Sequence, residues 1–142
     1  MGLQDKACII TGGGSGIGRG AALLMARNGA KIVLVGRTAL KVEAVKSEIE
    51  KLGGRAIACS LDVADYDAVQ QMTKDAFDAF ARIDVLVNSA GRSSHHRRLL
   101  NTTPEEIRQV IDSNLIGTIY CTRARDLPVI SSDTIVIISP ES

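Results

Sequence analysis

Short apolar runs alternate along the chain with longer segments in which apolar residues recur every three or four positions. Five runs rich in Ile, Val and Leu have the length of strands. They span residues 7–11, 31–35, 55–59, 84–88 and 134–139. Because apolar residues stand at successive positions in these runs, each strand is expected to be buried on both faces, as in a parallel sheet.

The segments between these runs predict helices, and several begin at residues that commonly cap a helix. The helix after the first strand is predicted over 17–28. Asp65 precedes one helix, and Thr103 precedes another that opens with a proline and two glutamates. Residues 91–101 are predicted to be a polar loop, and a separate helix is predicted from 112 to 125. The apolar face of the helix before strand three consists of Val42, Val45, Ile49 and Leu52.

Strands that alternate with helices predict an α/β fold with a doubly wound parallel sheet of the Rossmann type, in three layers. Right-handed crossovers between the strands give the strand order 3-2-1-4-5. The 142 residues fit a single domain that covers 1–142. In such a sheet the ligand crevice lies at the carboxyl ends of strands one and four, just after Thr11 and Asn88.

A glycine-rich turn follows Thr11 at that place and leads directly into a helix. Glycines let the backbone turn sharply and approach a pyrophosphate closely, while free N–H groups at the helix start attract the anion. The context of strand, turn and helix indicates a dinucleotide-binding turn, and the alternative is a glycine-rich turn that binds no ligand. The residues that we assign to the cofactor here are Gly12, Gly14, Ser15, Gly16, Ile17 and Gly18.

These residues resemble the T-G-x-x-x-G-[IL]-G fingerprint of the short-chain dehydrogenase/reductase family, and the resemblance covers essentially the whole chain. Three further features of the family have counterparts in this sequence. They are the N-N-A-G motif, the acidic residue after strand three and the active-site Asn on the long helix. The matching residues are Asp62, Val63, Asn88, Ala90, Gly91 and Asn114. The resemblance implies that the chain is the N-terminal, cofactor-binding portion of such an enzyme and lacks the last strands of the family fold.

Several of these residues have a role that the resemblance implies and a simpler structural one. The family's acidic residue holds the adenine amino group, whereas Asp62 by its position also leads into a helix. Ala90 and Gly91 offer little bulk beside a nicotinamide–ribose unit. Asn88 is expected to tie neighbouring strands through its amide, and Asn114 corresponds to an active-site residue of the family.

The end of strand two decides between the two nicotinamide dinucleotides, because an acidic residue there binds the ribose 2′-hydroxyl and repels a 2′-phosphate. Gly36 stands where NAD-preferring family members usually have Asp, and Arg37 follows it. A guanidinium binds a phosphate through charge-assisted hydrogen bonds, and Lys41 adds positive charge. We therefore expect NADP(H) to be preferred over NAD(H). The alternative is that Arg37 is only a solvated loop residue.

Family members transfer a hydride between the nicotinamide and a carbonyl or alcohol substrate, and a Tyr-x-x-x-Lys pair handles the proton. This sequence has no such pair, since Gln stands four positions after Tyr66 and Ala four positions after Tyr120. Ser139 lies near the family's catalytic Ser, whose own position is Pro140. The expected function is an NADP(H)-dependent oxidoreductase present as its cofactor-binding part. The alternatives are a non-catalytic NADP(H)-binding module and an inactive truncated product.

Charge and composition argue against several other partners. A net charge of +1 gives no electrostatic basis for binding nucleic acid, and no run approaches a membrane span. The three cysteines are expected to be reduced and mostly buried. Their spacing is not that of metal ligands, so no metal site is expected. Reduced cysteines and an N-terminus unlike a signal peptide together predict a cytoplasmic protein. The basic segment 95–98 is expected to be a solvated loop. Strand five would be an apolar edge, which predicts marginal solubility or a homo-oligomer.

Overall fold

A computed structural model describes residues 2–96 and 98–124 and the backbone of strand Thr134–Ile137. It contains five parallel strands in the order β3-β2-β1-β4-β5, which confirms the predicted topology. The strands are β1 (Ala7–Thr11), β2 (Lys31–Gly36), β3 (Arg55–Ser60), β4 (Val85–Asn88) and β5 (Thr134–Ile137). The side chains of β5 and residues 138–142 lie outside the described part, so the predictions for strand five's apolar edge and for Ser139 stay predictions.

Helices connect these strands and cover both faces of the sheet. They are α1 (Gly16–Arg27), α2 (Ala39–Lys51), α3 (Tyr66–Phe80), α4 (Pro104–Ile111) and α5 (Gly117–Ala124), with a 3₁₀ turn at Leu99–Asn101. A π-helical turn, Asp112–Ile116, joins α4 to α5. The helix predicted over 112–125 is confirmed as far as Ala124, but it is not separate from α4, because helical backbone angles continue through Asp112 and Gly117. No proline and no glycine in the left-handed conformation interrupts this helix.

Two of the predicted helix starts are confirmed by the hydrogen bonds of their caps. The Asp65 carboxylate accepts a bond from the N–H of Ala68 at 3.1 Å. Thr103 and Glu106 form a capping box, in which the Thr103 hydroxyl accepts from the Glu106 N–H at 3.2 Å and the Glu106 carboxylate accepts from the Thr103 N–H at 2.8 Å. These bonds satisfy N–H groups that a helix start leaves without partners.

The core consists of two apolar layers, one on each face of the sheet. In β2, Val33 and Val35 belong to one layer, and Ile32 and Leu34 belong to the other. Burial of successive residues in this way confirms that the inner strands are covered on both faces. Leu52 was expected on the buried face of α2, but it follows the last helical turn and is 53% exposed.

The cysteines agree with the expectation of mostly buried thiols. Cys8 and Cys121 are buried and Cys59 is half-buried, and all three are free. Burial raises the pKa of Cys8 and Cys121 to about 12 and that of Cys59 to about 11, so the thiols are neutral near pH 7. Within the described residues, no helix has the length and apolar character to cross a membrane.

Candidate functional site

A crevice opens at the carboxyl ends of β1 and β4, which is the place that the strand order predicts. Its walls come from the glycine-rich turn, the end of β2, the segment after β3, the segment after β4 and the π-helical turn. The lining residues are Gly12, Gly14, Ser15, Val35, Gly36, Arg37, Thr38, Lys41, Val42, Leu61, Asp62, Val63, Ala90, Gly91 and Ser113.

The glycine-rich turn depends on missing side chains at two positions. Gly12 has a φ of +66°, and a Cβ there would lie 2.7 Å from the carbonyl oxygen of Ser89. A Cβ on Gly18 would collide with the carbonyl oxygen of Gly12, so this glycine lets α1 start directly against the turn. The Gly13 N–H donates to the carbonyl oxygen of Val35 at 3.1 Å, which fixes the turn above β2.

Thr11 fastens the end of β1 to the segment after β4. Its hydroxyl oxygen accepts hydrogen bonds from the N–H groups of Ser89 at 3.1 Å and Ala90 at 3.0 Å. The hydroxyl also lies 3.5 Å from the carbonyl oxygen of Val87, to which it donates. The backbone beside Gly91 is thereby held at the crevice. The fingerprint contains Thr11 but does not predict this link; the signal in the sequence is a polar residue that ends an apolar strand.

Asn88 lies beneath the crevice and does not line it. The residue is only 3% exposed, and its amide nitrogen has no hydrogen-bond partner among the described residues. The expected tie between strands through this nitrogen is therefore not found. A buried donor without a partner is uncommon in proteins.

Asn114 occupies the π-helical turn, where it holds the loop after β4. Its side-chain oxygen accepts from the N–H of Arg92 at 2.8 Å, and its side-chain nitrogen donates to the Arg92 carbonyl at 3.0 Å. This two-bond clamp fixes the chain next to Gly91. Close contact between Gly117 and Val63, where a Cβ on the glycine would collide, brings the same helix against the wall of the crevice.

The wall after β3 carries both residues predicted for the base of the cofactor. Asp62 is exposed and its carboxylate accepts from the N–H of Ala64 at 2.9 Å, so it does shape the turn that leads into α3. Val63 is 5% exposed and packs below it. The two residues lie together in the crevice, and the second carboxylate oxygen of Asp62 faces no partner given by the structure.

The wall after β2 carries the positive charge of the crevice. Arg37 and Lys41 are exposed, and neither forms an ion pair within the part of the chain that the structure describes. The Arg37 backbone is held in place because the Ser60 hydroxyl donates to its carbonyl oxygen at 3.3 Å. Among the described lining residues Asp62 is the one acid, so cations outnumber anions in this part of the crevice.

Not every residue of the fingerprint reaches the crevice. Gly16 has a φ of +52° and begins α1, and Ile17 projects from that helix with 56% of its surface exposed. Neither of them, nor Gly18, lines the crevice. Gly18 supports the turn by close packing, and the assignment of Ile17 to the cofactor stays a prediction.

The basic loop after β4 is attached to α4 by one histidine. His96 Nδ1 lies 3.2 Å from Glu106 Oε1. The pKa of Glu106 is lowered, first by the hydrogen bond from the Thr103 N–H and also by His96. His95 is exposed, and the described residues contain no cluster of three or more His, Cys, Asp or Glu that could hold a metal ion.

The fold and this crevice define a nucleotide-binding protein of the Rossmann type. Residues 6–140 match the family model described as short chain dehydrogenase, so the chain belongs to the short-chain dehydrogenase/reductase family. The family binds a nicotinamide cofactor, and its members are oxidoreductases.

Individual relatives support this assignment. The chain is 41% identical over 123 residues to a 3-oxoacyl-[acyl-carrier-protein] reductase of Synechocystis sp., covering 86% of this chain and 49% of that protein. A metagenomic short-chain oxidoreductase in complex with NADP has a TM-score of 0.80 and 33% identity, with 86% and 55% of the two chains covered. A 7α-hydroxysteroid dehydrogenase complexed with NADH and 7-oxo glycochenodeoxycholic acid has a TM-score of 0.89 and 27% identity, with 97% and 54% covered. The chain spans about half the length of the curated relatives it matches.

Proposed function

We propose that this chain is the cofactor-binding part of an NADP(H)-dependent oxidoreductase, which transfers a hydride between the nicotinamide and a carbonyl or alcohol substrate. The observation that carries the proposal is the crevice itself, in which the glycine-rich turn and Arg37 share one cavity with Asp62. Bound NADPH would supply the hydride. The residues of this chain bind and orient the dinucleotide.

The glycine-rich turn fits the pyrophosphate. Gly12 and Gly14 line the crevice without side chains, and a Cβ on Gly14 would lie 3.0 Å from Lys41 Cβ. This close packing leaves a backbone surface to which a phosphate can bind, with Ser15 and the N–H groups at the start of α1 as donors. Gly16 and Gly18 shape this turn, and Ile17 is assigned to it by the family fingerprint alone.

The end of β2 fits the 2′-phosphate of NADP(H). Arg37 is unpaired within the described residues, and it lines the crevice together with Lys41. An unpaired guanidinium at this edge binds a dianion and gains nothing comparable from a ribose hydroxyl. The same cavity contains no carboxylate from β2, since Gly36 ends that strand.

The remaining walls fit the two bases. Asp62 and Val63 form the adenine end, and Ala90 and Gly91 lie toward the nicotinamide end, where the absence of bulk leaves room for a ring. Asn88 and Asn114 act from behind these walls, through the end of β4 and through the clamp on Arg92. We assign a catalytic role to Asn114, because it corresponds to the active-site Asn of the family.

Proton transfer is the step for which this sequence offers no group. Its 142 residues contain no Tyr-x-x-x-Lys pair, and Pro140 stands where the family's catalytic Ser is expected. The second candidate function is a module that binds NADP(H) without turnover. Both candidates require the same cofactor site, but only the oxidoreductase would convert a carbonyl or alcohol substrate.

Titration of the chain with NADPH and NADH, followed by nicotinamide fluorescence, tests the shared site. We expect saturable NADPH binding and much weaker NADH binding. Equal affinities would overturn the assignment of Arg37, and no binding of either would overturn the proposed function. Oxidation of bound NADPH by added carbonyl compounds then separates the oxidoreductase from the non-catalytic module.

A further inference from the structure

Arg92 directly follows the wall of the crevice that ends at Gly91, and it lies outside that wall. Ala90 and Gly91 line the crevice toward the proposed nicotinamide end, whereas Arg92 does not line it. A substrate that exchanges a hydride with the nicotinamide must lie beside the ring but outside the space of the cofactor. Arg92 therefore stands where a side chain can contact the substrate without contacting the dinucleotide.

The backbone of Arg92 is fixed at both of its polar groups. Its N–H donates to the Asn114 side-chain oxygen at 2.8 Å, and its carbonyl oxygen accepts from the Asn114 side-chain nitrogen at 3.0 Å. The next turn of the loop is held by Ser94, whose hydroxyl accepts from the His96 N–H at 3.0 Å and lies 3.3 Å from the Thr102 hydroxyl. A side chain on a fixed backbone loses less conformational entropy when it binds a ligand.

The guanidinium of Arg92 has no anionic partner among the residues that the structure describes. Arg92 is half-buried, yet none of the ion pairs formed within the described ranges includes it. Partial removal of a charge from water costs free energy unless a partner compensates for it. A guanidinium in this state gains more from an anionic ligand than a fully solvated one does.

The rest of the loop adds positive charge. Residues 92–98 contain no acid, and His95 and Arg98 are exposed and form no ion pair with any described residue. Glu106 faces the loop from α4, but its carboxylate is already bound to His96 and to the N–H of Thr103. The field of the loop therefore attracts an anion toward the end of the crevice at which Arg92 stands.

We propose that Arg92 selects anionic substrates, because its guanidinium binds an oxyanion, a carboxylate or a phosphate group, carried by the carbonyl or alcohol substrate. This inference rests on the proposed function and names the class of substrate for it. A guanidinium binds the oxygens of either group through two parallel, charge-assisted hydrogen bonds. An uncharged carbonyl compound of similar shape offers no such partner.

Binding of acetoacetate to the chain saturated with NADP⁺, measured by isothermal titration, tests this inference. NADP⁺ carries no hydride to transfer, so only binding is observed. Methyl acetoacetate has the same ketone but no charge, and it is expected to bind about tenfold more weakly. Dihydroxyacetone phosphate, compared with uncharged dihydroxyacetone, shows in the same way whether the preferred oxyanion is a phosphate.

Variants of Arg92 assign this preference to its side chain. Arg92→Gln removes the charge, so the preference for the anion over its uncharged counterpart should fall about tenfold, whereas Arg92→Lys keeps the charge and should retain part of it. Arg108→Gln is the matched control, because it removes an exposed arginine of α4 that lies outside the loop. The NADPH affinity of each variant, measured by nicotinamide fluorescence, reports whether the cofactor site is intact.

Each outcome has a distinct meaning. A preference for one of the anions that Arg92→Gln abolishes and Arg108→Gln preserves supports the inference. No preference in the unaltered chain, or one that Arg92→Gln leaves unchanged, would overturn it while NADPH still binds, and the proposed function would stand. An equal fall in Arg108→Gln, or a parallel fall in the NADPH affinity of Arg92→Gln, would also overturn it. If the unaltered chain binds no NADPH, the proposed function fails and the inference fails with it.

Discussion

The Thr11 hydroxyl oxygen lies 3.0 Å from the backbone nitrogen of Ala90 and accepts its hydrogen. These residues are 79 positions apart in the sequence, and the bond joins the two strand ends between which the crevice opens. The neighbouring N–H of Ser89 uses the same oxygen. One side chain thus links the glycine-rich turn to the wall that faces the nicotinamide end of the proposed site.

Thr11→Val tests this link, since valine keeps the shape of threonine and removes the oxygen. Two partly buried N–H groups would lose their acceptor, and an unpaired buried donor costs about 1–3 kcal/mol. We expect the free energy of unfolding to fall by about 2 kcal/mol in urea titrations, with weaker NADPH binding. Thr11→Ser keeps the oxygen and should lose less. No loss in Thr11→Val, or a larger loss in Thr11→Ser than in Thr11→Val, would show that the methyl group, not the bond, is what matters.

Arg37→Gln is expected to lower NADPH affinity by about ten- to a hundredfold, because hydrogen bonds to a charged partner contribute about 1.5–3 kcal/mol. NADH lacks the 2′-phosphate, so its affinity should change little. Arg27→Gln removes an exposed arginine at the end of α1 and serves as the control. Isothermal titration in low and moderate salt measures both cofactors. A parallel loss for NADH would contradict the 2′-phosphate role.

Two glycines of α1 should respond oppositely to the same substitution. Gly18→Ala places a methyl group against the carbonyl of Gly12 and is expected to lower the free energy of unfolding by more than about 1 kcal/mol. Gly20 faces open space, so Gly20→Ala should stabilise the helix by up to about 1 kcal/mol. Urea unfolding of both variants checks the pair. A stable Gly18→Ala protein would refute the close packing of α1 on the turn.

The pKa of Asp84 gives the chain a defined loss of stability in acid. Burial alone would raise this pKa, but hydrogen bonds from Arg82 and from the N–H of Ala7 at 2.9 Å hold it below its usual value. The stabilising contribution is therefore complete above the unfolded pKa of about 3.9 and is lost as the pH falls through the folded value.

Asp84→Asn checks this pH dependence through unfolding measured from pH 7 to pH 2. The difference in unfolding free energy between the unaltered chain and the variant should shrink below about pH 4. Asp78→Asn changes an exposed aspartate and is expected to show no such convergence. A difference that stays constant over the whole range would mean that the Asp84 carboxylate does not contribute through its charge.

Much of the fold could be predicted because its signals are local. Runs such as 31–35 are apolar at successive positions, and Asp65 and Thr103 cap helices through neighbours three residues away. The helix over 104–124 was divided wrongly, because residues 112–114 are Asp, Ser and Asn, which commonly occur at helix starts, whereas the backbone stays helical through them.

The sequence by itself determined the strand order, the place of the crevice and the glycine-rich turn, because chain chirality and the backbone freedom of glycine act over short distances. Tertiary structure alone decided which side chains meet there. The bond of Thr11 to Ala90, the clamp of Asn114 on Arg92 and the place of Ser113 in the wall depend on strand register and on helix packing. Those contacts join residues that lie far apart in the chain, so their geometry exists only once the sheet has formed.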